Sequence, residues 1–405
     1  MTKILLFTAL ALQSACAKTI ILSADDKEWF TILSGPSLKP GDEIVLKAGT
    51  YSDPRRLEIS QQGKAGTPVT IRAAEGAKVI FKRPDAKQNS INLAGCQHLN
   101  IRDLEITRGD AGVRIGGKGP NLAKFITLEN LHIHHIGGVA VTANFPGEVY
   151  ESLTFRHNHI HHTGGHGEGF YLGSNNKEDG STNGYIFGSV IENNYIHDLK
   201  GGTVSQGDGI EIKDGSYGNI VRDNVIHDTN HPGIIVYDTD GKARNIIERN
   251  VIWNTGDHGI QAAADATIRN NIIFNTSGYG IASRNHQSAV VGNLTIIHNT
   301  ILSKQSIRIN PPGKLSGKVI IANNALYTNP RISKSPDILQ ITNIVGVRHK
   351  FPAPESPCLG TADPAHLTEM DFNQTERGTS KDVGAYWFSP TGNPGWKIGK
   401  KFKAQ

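Results

Sequence analysis

The sequence predicts an all-β fold: a single-domain right-handed parallel β-helix (a solenoid) with an N-terminal cap helix and an irregular C-terminal tail. Three observations support this prediction. A unit containing an asparagine recurs every 21 to 36 residues. Each unit holds short β-branched runs separated by Asn, Gly and Asp, and the residues two before the asparagine alternate in charge. Units of this length that pack only on their neighbours are typical of a solenoid.

The repeated unit reads Asn, any residue, an aliphatic residue, then a polar or aromatic residue. The asparagine recurs at Asn158, Asn194, Asn224, Asn250, Asn271, Asn299 and Asn324. These segments lack the i, i+3, i+4 apolar spacing of a helix, and β-branched runs bounded by turn residues are typical of strands. Adjacent strands lie about 4.8 Å apart, so each amide can bond the next and form a ladder.

The same alignment predicts two further columns, that is, sets of residues that occupy the same position on successive rungs. The charged column reads Arg156, Glu192, Arg222, Glu248 and Arg269. Because opposite charges on neighbouring strands stabilise one another, a structural role is expected. The ring column reads His134, His161, His197, His227, Trp253 and Phe274. We interpret it as a ring stack, with a transition-metal site as the alternative, since imidazole suits such metals.

The N-terminus has the order of a secretory signal peptide. Lys3 precedes the apolar run 4–12, and Ala15-Cys16-Ala17 offers a small-residue cleavage site. The run is too short to span a bilayer. A lipid anchor on Cys16 is the alternative, which Gln13 disfavours. The predicted organisation is therefore a signal peptide at 1–17, the β-helix with its cap at 18–330 and a tail at 331–405 packing on the last coils.

The ends of the β-helix need covers, because bare sheet edges aggregate. Residues 26–33 (DKEWFTIL) predict the cap helix, and residues 38–46 (LKPGDEIVL) predict the first strand. Only two cysteines follow the signal peptide, Cys96 and Cys358, which excludes a disulfide-stapled scaffold. They are expected several rungs apart and unbridged.

The charge balance favours an acidic polymer as partner. The chain has 42 Lys and Arg against 37 Asp and Glu, a formal net charge of +5. The basic residues are spread along the chain, so nucleic acid is not indicated and an acidic polysaccharide is. We expect a secreted monomer, extracellular or periplasmic, without membrane association.

Residues 38–51 (LKPGDEIVLKAGTY) with 66–71 (GTPVTI) resemble the start of β-helical polysaccharide lyases of the pectate-lyase-like superfamily, including the alginate lyase and chondroitinase B group. The late Asp371-Phe372 with 382–386 (DVGAY) resembles a closing motif common in secreted β-helix carbohydrate enzymes. The resemblance covers most of the chain and implies the fold and a carbohydrate substrate. Fold alone does not imply a reaction.

In that group a strand carrying Glu and then Lys faces a following rung that supplies Arg. The local match is 209–216 (GIEIKDGS), but its Glu-to-Lys spacing is shorter and the next rung, 233–240 (GIIVYDTD), has no Arg. The Tyr-Asp-x-Asp within that rung is similar to β-helical uronate C5-epimerases.

Elimination from a uronate needs a base for the C5 proton, an acid for the departing O4 and a cation for the carboxyl charge. We aligned the strand that follows each Gly-aliphatic pair, whose third and fifth positions should point outward. Position three reads Arg114, Ala140, Tyr171, Glu211, Ile235, Gln261, Ala282 and Arg308. Position five reads Gly116, Thr142, Gly173, Lys213, Tyr237, Ala263, Arg284 and Asn310.

These columns give the candidate site residues. The candidate base is Lys213 or Tyr237, with His258 third, and Arg284 is the charge stabiliser. The candidate substrate-binding residues are Tyr171, Glu211, Gln261, His231 and Arg308. The candidate Ca²⁺ ligands are Asp208, Glu211, Asp238 and Asp240, since carboxylates suit Ca²⁺.

The predicted function is a secreted lyase that cleaves a uronate-containing extracellular or biofilm-matrix polysaccharide by β-elimination. The alternative is that the residues at positions three and five are solvated strand residues with no catalytic role. Three other functions remain open: a glycoside hydrolase, which needs two carboxylates, a uronate C5-epimerase and a non-catalytic glycan-binding β-helix.

Overall fold

A computed structural model describes residues 17–174, 182–311 and 313–391 of the chain. The predicted signal peptide lies almost entirely outside the described residues. The described chain winds into a parallel β-helix with three parallel sheets, here called sheets A, B and C. The predicted fold class is confirmed.

The strands of the three sheets alternate along the chain. Sheet A contains 15 strands: β1 (Thr19–Leu22), β2 (Glu43–Leu46), β5 (Val69–Ala73), β8 (Gln97–Arg102), β11 (Lys124–Glu129), β14 (Val149–Glu151), β15 (Thr154–Arg156), β18 (Tyr185–Phe187), β19 (Val190–Glu192), β22 (Ile220–Arg222), β25 (Asn245–Glu248), β28 (Ala264–Arg269), β31 (Gly292–Ile297), β34 (Val319–Ala322) and β37 (Ile338–Ile341). Sheet B contains 12 strands: β3 (Gly49–Tyr51), β6 (Val79–Lys82), β9 (Glu105–Thr107), β12 (His132–His134), β16 (His159–His161), β20 (Tyr195–Leu199), β23 (Val225–Thr229), β26 (Val251–Thr255), β29 (Ile272–Phe274), β32 (Thr300–Leu302), β35 (Ala325–Leu326) and β38 (Ile344–Val345). Sheet C contains 11 strands: β4 (Glu58–Ile59), β7 (Ile91–Ala94), β10 (Val113–Gly116), β13 (Val141–Ala143), β17 (Phe170–Leu172), β21 (Ile210–Ile212), β24 (Ile234–Val236), β27 (Ile260–Ala262), β30 (Tyr279–Ser283), β33 (Gln305–Ile309) and β36 (Arg331–Ile332).

The asparagine ladder sets the register between rungs and is confirmed. The side-chain amide of Asn250 donates to Asn271 Oδ1 at 3.0 Å, and Asn250 Oδ1 accepts from the Asn224 amide at 3.0 Å. The same link runs from Asn158 to Asn343. Each buried amide is thereby satisfied, which locks the coil without an unpaired polar group.

The two other columns are also present. Arg222 bonds Glu192 at 2.7 Å and Arg269 bonds Glu248 at 2.7 Å across adjacent strands of sheet A. The predicted ring stack runs along sheet B, with neighbouring ring centroids between 4.2 and 5.5 Å apart.

The core lies inside the coil, where every rung contributes fully buried aliphatic side chains such as Ile196, Ile226 and Ile252. Glycine is required where the chain enters sheet C. A Cβ on Gly209 would lie 2.3 Å from the Gly233 carbonyl oxygen and 2.6 Å from Ile226 Cγ2. Rungs can therefore approach this closely only without a side chain there.

The N-terminal end differs from the prediction in one strand. The cap helix α1 spans Trp29–Ser34 and buries Trp29, Phe30 and Leu33. The prediction that the first strand lies within 38–46 is wrong, because β1 comes earlier and pairs in parallel with β2. β1 is the outermost strand and is partly exposed, so its sequence lacks the pattern of buried apolar residues by which a strand is recognised.

The C-terminal end extends one rung beyond the predicted boundary at residue 330. β36, β37 and β38 complete it, and Asn343 ends the ladder. The tail then includes a short 3₁₀ turn at Pro364–His366. Phe372 and Tyr386 share an apolar cluster with Val251, Ile272 and Trp253, so the tail packs along sheet B. Cys96 and Cys358 are both free and buried. No helix among the described residues is long and apolar enough to cross a membrane.

Candidate active site

The candidate site lies on the outer face of sheet C, where β17, β21 and β24 are neighbours. The register pairs Tyr171 with Glu211 and Glu211 with Ile235, as predicted. One rung of the alignment is wrong: Thr142, not Ala140, pairs with Arg114 and Tyr171. The glycine pair Gly137-Gly138 belongs to the preceding turn, so the Gly-aliphatic signal there falls two residues early.

Four side chains form one hydrogen-bonded network at this site. Lys213 Nζ donates to Glu211 Oε1 at 2.5 Å and lies 3.3 Å from the Tyr237 hydroxyl. The Tyr237 hydroxyl donates to the same Glu211 oxygen at 2.9 Å and lies 3.1 Å from His286 Nε2. The Lys213 ammonium also lies 4.6 Å from the centre of the Tyr171 ring. The structure thus brings together Tyr171, Glu211, Lys213 and Tyr237, and adds His286.

A turn after β30 covers this network. Ala289 packs in a small apolar cluster with Ile235 and Tyr237, and the Ser288 hydroxyl donates to Asp214. Lys213 is consequently 5% exposed and Tyr237 2% exposed, whereas His286 stays half-buried at the edge of the network. His286 is therefore the network member that an approaching ligand meets first.

The electrostatics separate the roles of these groups. Despite burial, which favours the neutral amine, the Glu211 carboxylate raises the pKa of Lys213, so Lys213 is an ammonium at neutral pH. Burial and the Glu211 charge raise the pKa of Tyr237, so the phenol stays protonated. Burial and the nearby Arg284 and Lys213 charges lower the pKa of His286, which leaves a neutral imidazole.

Two predicted cations lie further along the same face. Arg284 and Arg308 are exposed, and neither forms an ion pair with a carboxylate within the described ranges. The Arg308 guanidinium lies 5.5 Å from the centre of the Tyr279 ring. Exposed cations of this kind can meet a substrate carboxylate directly.

Three predicted site residues are placed less favourably. His258 Nδ1 accepts a hydrogen bond from the Tyr279 backbone amide at 3.0 Å, so the neutral ring holds its proton on Nε2 and is a donor, not a base. Gln261 is 3% exposed, which leaves little side chain for a substrate to touch. His231 lies half-buried in the turn before β24, outside the hydrogen-bonded network.

Three buried carboxylates lie behind the network. The ligand oxygens of Glu168, Asp208 and Glu211 are all within 4.8 Å of one another. Both oxygens of Glu168 and Glu211 Oε2 have no hydrogen-bond partner. Burial, with the Glu211 charge, raises the pKa of Glu168 to about 7 and raises that of Asp208 well above its usual value.

The trio revises the predicted Ca²⁺ ligands. Asp208 and Glu211 are in it, but its third member is Glu168, while Asp238 and Asp240 lie in the turn after β24. The reason is the register, which places Glu168 and Asp208 at equivalent positions before β17 and β21. Three buried carboxylates, of which Glu168 and Glu211 have unpartnered oxygens, fit a hard cation such as Ca²⁺, which takes six to eight oxygen ligands.

His286 is the site residue that sequence reasoning missed. It follows Arg284 by two residues but belongs to a turn outside the strand alignment. The weak signal was a histidine two residues after an outward-facing arginine, in a turn long enough to fold back over earlier rungs.

Comparison with known proteins agrees with this fold. The sequence model of the family described as "Right handed beta helix region" matches residues 69–243 and 148–326. The chain therefore belongs to the right-handed β-helix family.

Individual relatives are distant. Pectate lyase PEL9 of Emericella nidulans is 26% identical over 104 residues, which span 22% of this chain and 25% of that protein. The crystal structure of pectate lyase Pel9A has a TM-score of 0.59 at 16% identity, covering 92% of this chain and 96% of that one. A mannuronic acid specific polysaccharide family 6 lyase from human gut microbiota has a TM-score of 0.56 at 17% identity, covering 81% and 86%. At these identities the structural similarity establishes the fold alone, a right-handed parallel β-helix.

Proposed function

We propose that the protein is a secreted polysaccharide lyase that cleaves a uronate-containing extracellular polysaccharide by β-elimination. The observation that carries the proposal is the network of Glu211, Lys213, Tyr237 and His286 beside the exposed Arg284. Similar folds in pectate lyase Pel9A and in the mannuronic acid specific lyase support an acidic polysaccharide as the substrate class.

The proposed base is His286. With the Tyr237 hydroxyl donating to Glu211, the Tyr237 oxygen accepts the proton of His286 Nε2, and His286 Nδ1 keeps its lone pair. Glu211 thereby acts on His286 through Tyr237, as a carboxylate orients the histidine of a catalytic triad. His286 Nδ1 takes the C5 proton, and the resulting imidazolium can return a proton to the leaving O4.

Lys213 then acts as a positioning cation in place of the predicted base. A base must have a free lone pair, but the ion pair with Glu211 keeps the Lys213 amine protonated. It holds Glu211 and Tyr237 in place, and its charge favours a shift of negative charge onto the Tyr237 oxygen.

Arg284 is the proposed partner of the substrate carboxylate. Abstraction of the C5 proton moves negative charge onto that carboxylate, and a guanidinium held beside it lowers the barrier. Arg308 lies one strand further along the same face and would bind the carboxylate of a neighbouring sugar.

Ca²⁺ is a second proposed component. Glu168, Asp208 and Glu211 would hold it, and a bound ion would supply the positive charge that one Lys213 ammonium cannot provide for three carboxylates. Calorimetric titration with Ca²⁺ tests this: a saturable heat that is absent in Glu168→Gln supports the site, and an unchanged heat in that variant refutes it.

The rival functions make different products. A hydrolase would need carboxylates that reach the sugar, and Glu168, Asp208 and Glu211 are 0, 3 and 2% exposed. The test incubates the purified protein with alginate, pectate, glycosaminoglycans and bacterial exopolysaccharides, with and without EDTA. Rising ultraviolet absorbance from unsaturated uronate ends supports the lyase. Reducing ends without that absorbance would identify a hydrolase, changed sugar composition at constant length an epimerase, and binding alone a glycan-binding protein.

Secretion and a monomeric state belong to the same proposal. Export of a precursor with cleavage near residue 17 would support the signal peptide, since the N-terminus has the required order of residues. Light scattering of the purified chain would show whether the protein is a monomer in solution, as proposed.

A further inference from the structure

Sheet B carries a concentration of histidines on its outer face. Two neighbouring rungs each contain the sequence His-Ile-His-His, at 132–135 and 159–162, and the next rung adds His197. Because strand residues alternate, the isoleucine of each unit enters the core while the flanking histidines face outward. The histidine cluster is defined here as His132, His134, His159, His161 and His197.

The ring nitrogens of this cluster point at one another. His132 Nε2 lies 2.8 Å from His161 Nε2, and His159 Nε2 lies 2.7 Å from His197 Nε2. Ring stacking alone does not require such contacts, because stacked rings can present their nitrogens to water. The diagonal pairing between columns brings nitrogen atoms of His132, His159 and His161 within 4.8 Å of one another.

This spacing is close to that of a metal site. Two imidazole nitrogens bound tetrahedrally at about 2.0–2.1 Å from a metal lie about 3.4 Å apart. The 2.8 Å contact between His132 and His161 reaches that spacing with a shift of about half an ångström, and a nitrogen of His159 lies within 4.8 Å of nitrogens of both. Such a shift is available, because the rings are half-buried at the surface and are held by a rigid ladder beneath.

A carboxylate lies beside these rings. Glu105 is 3.3 Å from His134 Nε2 and forms a second group of close ligand atoms with His132 and His134.

We propose that the histidine cluster binds a divalent transition metal of the imidazole-preferring kind, Zn²⁺, Ni²⁺ or Cu²⁺, with His132, His159 and His161 as ligands. The site is separate from the proposed lyase site, and either can fail without the other. A purely structural ring stack is the competing explanation.

The test uses the full chain without a histidine tag, freed of metals by EDTA and then of EDTA. Zn²⁺ and Ni²⁺ are titrated by calorimetry, with Mg²⁺ as the hard cation that should give no heat. We expect saturable Zn²⁺ and Ni²⁺ binding that raises the unfolding temperature. The His132→Gln/His161→Gln double variant should bind at least about tenfold more weakly, or about 1.4 kcal/mol.

The matched control is His349→Gln, which removes an exposed histidine from the tail and should leave binding unchanged. Equal affinity in the double variant and wild type, or no Zn²⁺ binding by wild type, would overturn the proposal. If the double variant does not fold, electron paramagnetic resonance of Cu²⁺ on the wild type decides. Couplings to three nitrogens support the site, and coupling to one nitrogen or none refutes it.

Discussion

Replacing His286 by glutamine should remove the proposed base and leave the fold intact. His286 is half-buried and has one side-chain hydrogen bond that the structure defines, to the Tyr237 hydroxyl at 3.1 Å. Losing such a bond costs about 1 kcal/mol of unfolding free energy. Losing a general base costs about a hundredfold or more in rate, equivalent to at least about 2.7 kcal/mol of transition-state stabilisation.

The neighbouring residue makes this prediction specific. Tyr237→Phe keeps the imidazole but removes the link to Glu211, so we expect a smaller loss, about tenfold to a hundredfold. Because the two residues act as one unit, the double variant should be no slower than His286→Gln alone. Independent roles would instead make the two losses multiply.

The assay is the initial rate of unsaturated-end formation on the polysaccharide that the protein degrades, measured across pH. The pKa of His286 is lowered below 6.5, so the rate should fall on the acid side with a midpoint below 6.5. That acid limb should disappear in His286→Gln. Tyr279→Phe, a nearby tyrosine on the same sheet, is the control. A near-native rate for His286→Gln would refute the assignment of the base.

The remaining predictions concern other parts of the molecule. Lys213→Ala should lower the rate at least about a hundredfold and also lower the unfolding temperature, because it leaves the buried Glu211 carboxylate unpaired. Arg284→Ala should give a similar loss of rate without a change in unfolding temperature, which assay and thermal melt would show together. Asn250→Ala should reduce the unfolding free energy by about 3 kcal/mol or more in urea titration, because it breaks the ladder in both directions. Burial lowers the pKa of His298 to about 3, below its unfolded 6.5, so its stabilisation is full above 6.5 and lost as pH falls towards 3. His298→Gln should flatten this acid loss, worth about 3 kcal/mol between pH 7 and pH 4, in urea titrations over that range.

The ladder explains why so much of the fold could be predicted from the sequence. A parallel β-helix repeats one local interaction, so Asn194 and Asn250 occupy the same place in the repeated unit and make the same hydrogen bond to the next rung. The charged and ring columns follow the same register. The prediction failed at the outermost rungs, where a strand has a neighbour on one side only: at β1 on one end and at β36 to β38 on the other.

The candidate site was less predictable, because its groups meet through turns of unequal length. Glu211, Lys213 and Tyr237 come from aligned strands, and the alignment placed them together. His286 reaches them from a turn 49 residues after Tyr237, which no strand register determines. The sequence also gave no signal that this turn would bury Lys213 against Glu211, and that burial changes the expected role of Lys213 from base to positioning cation.

The mass of the cleavage products tests the central claim most directly. The polysaccharide that the protein degrades is incubated with the wild-type protein and with His286→Gln, and the products are weighed by mass spectrometry. Elimination breaks the bond to O4 without adding water, so the proposed mechanism predicts unsaturated products that are lighter by one water than hydrolysis products and are formed far more slowly by the variant. Products that have gained one water, or equal product formation by the variant, would contradict it.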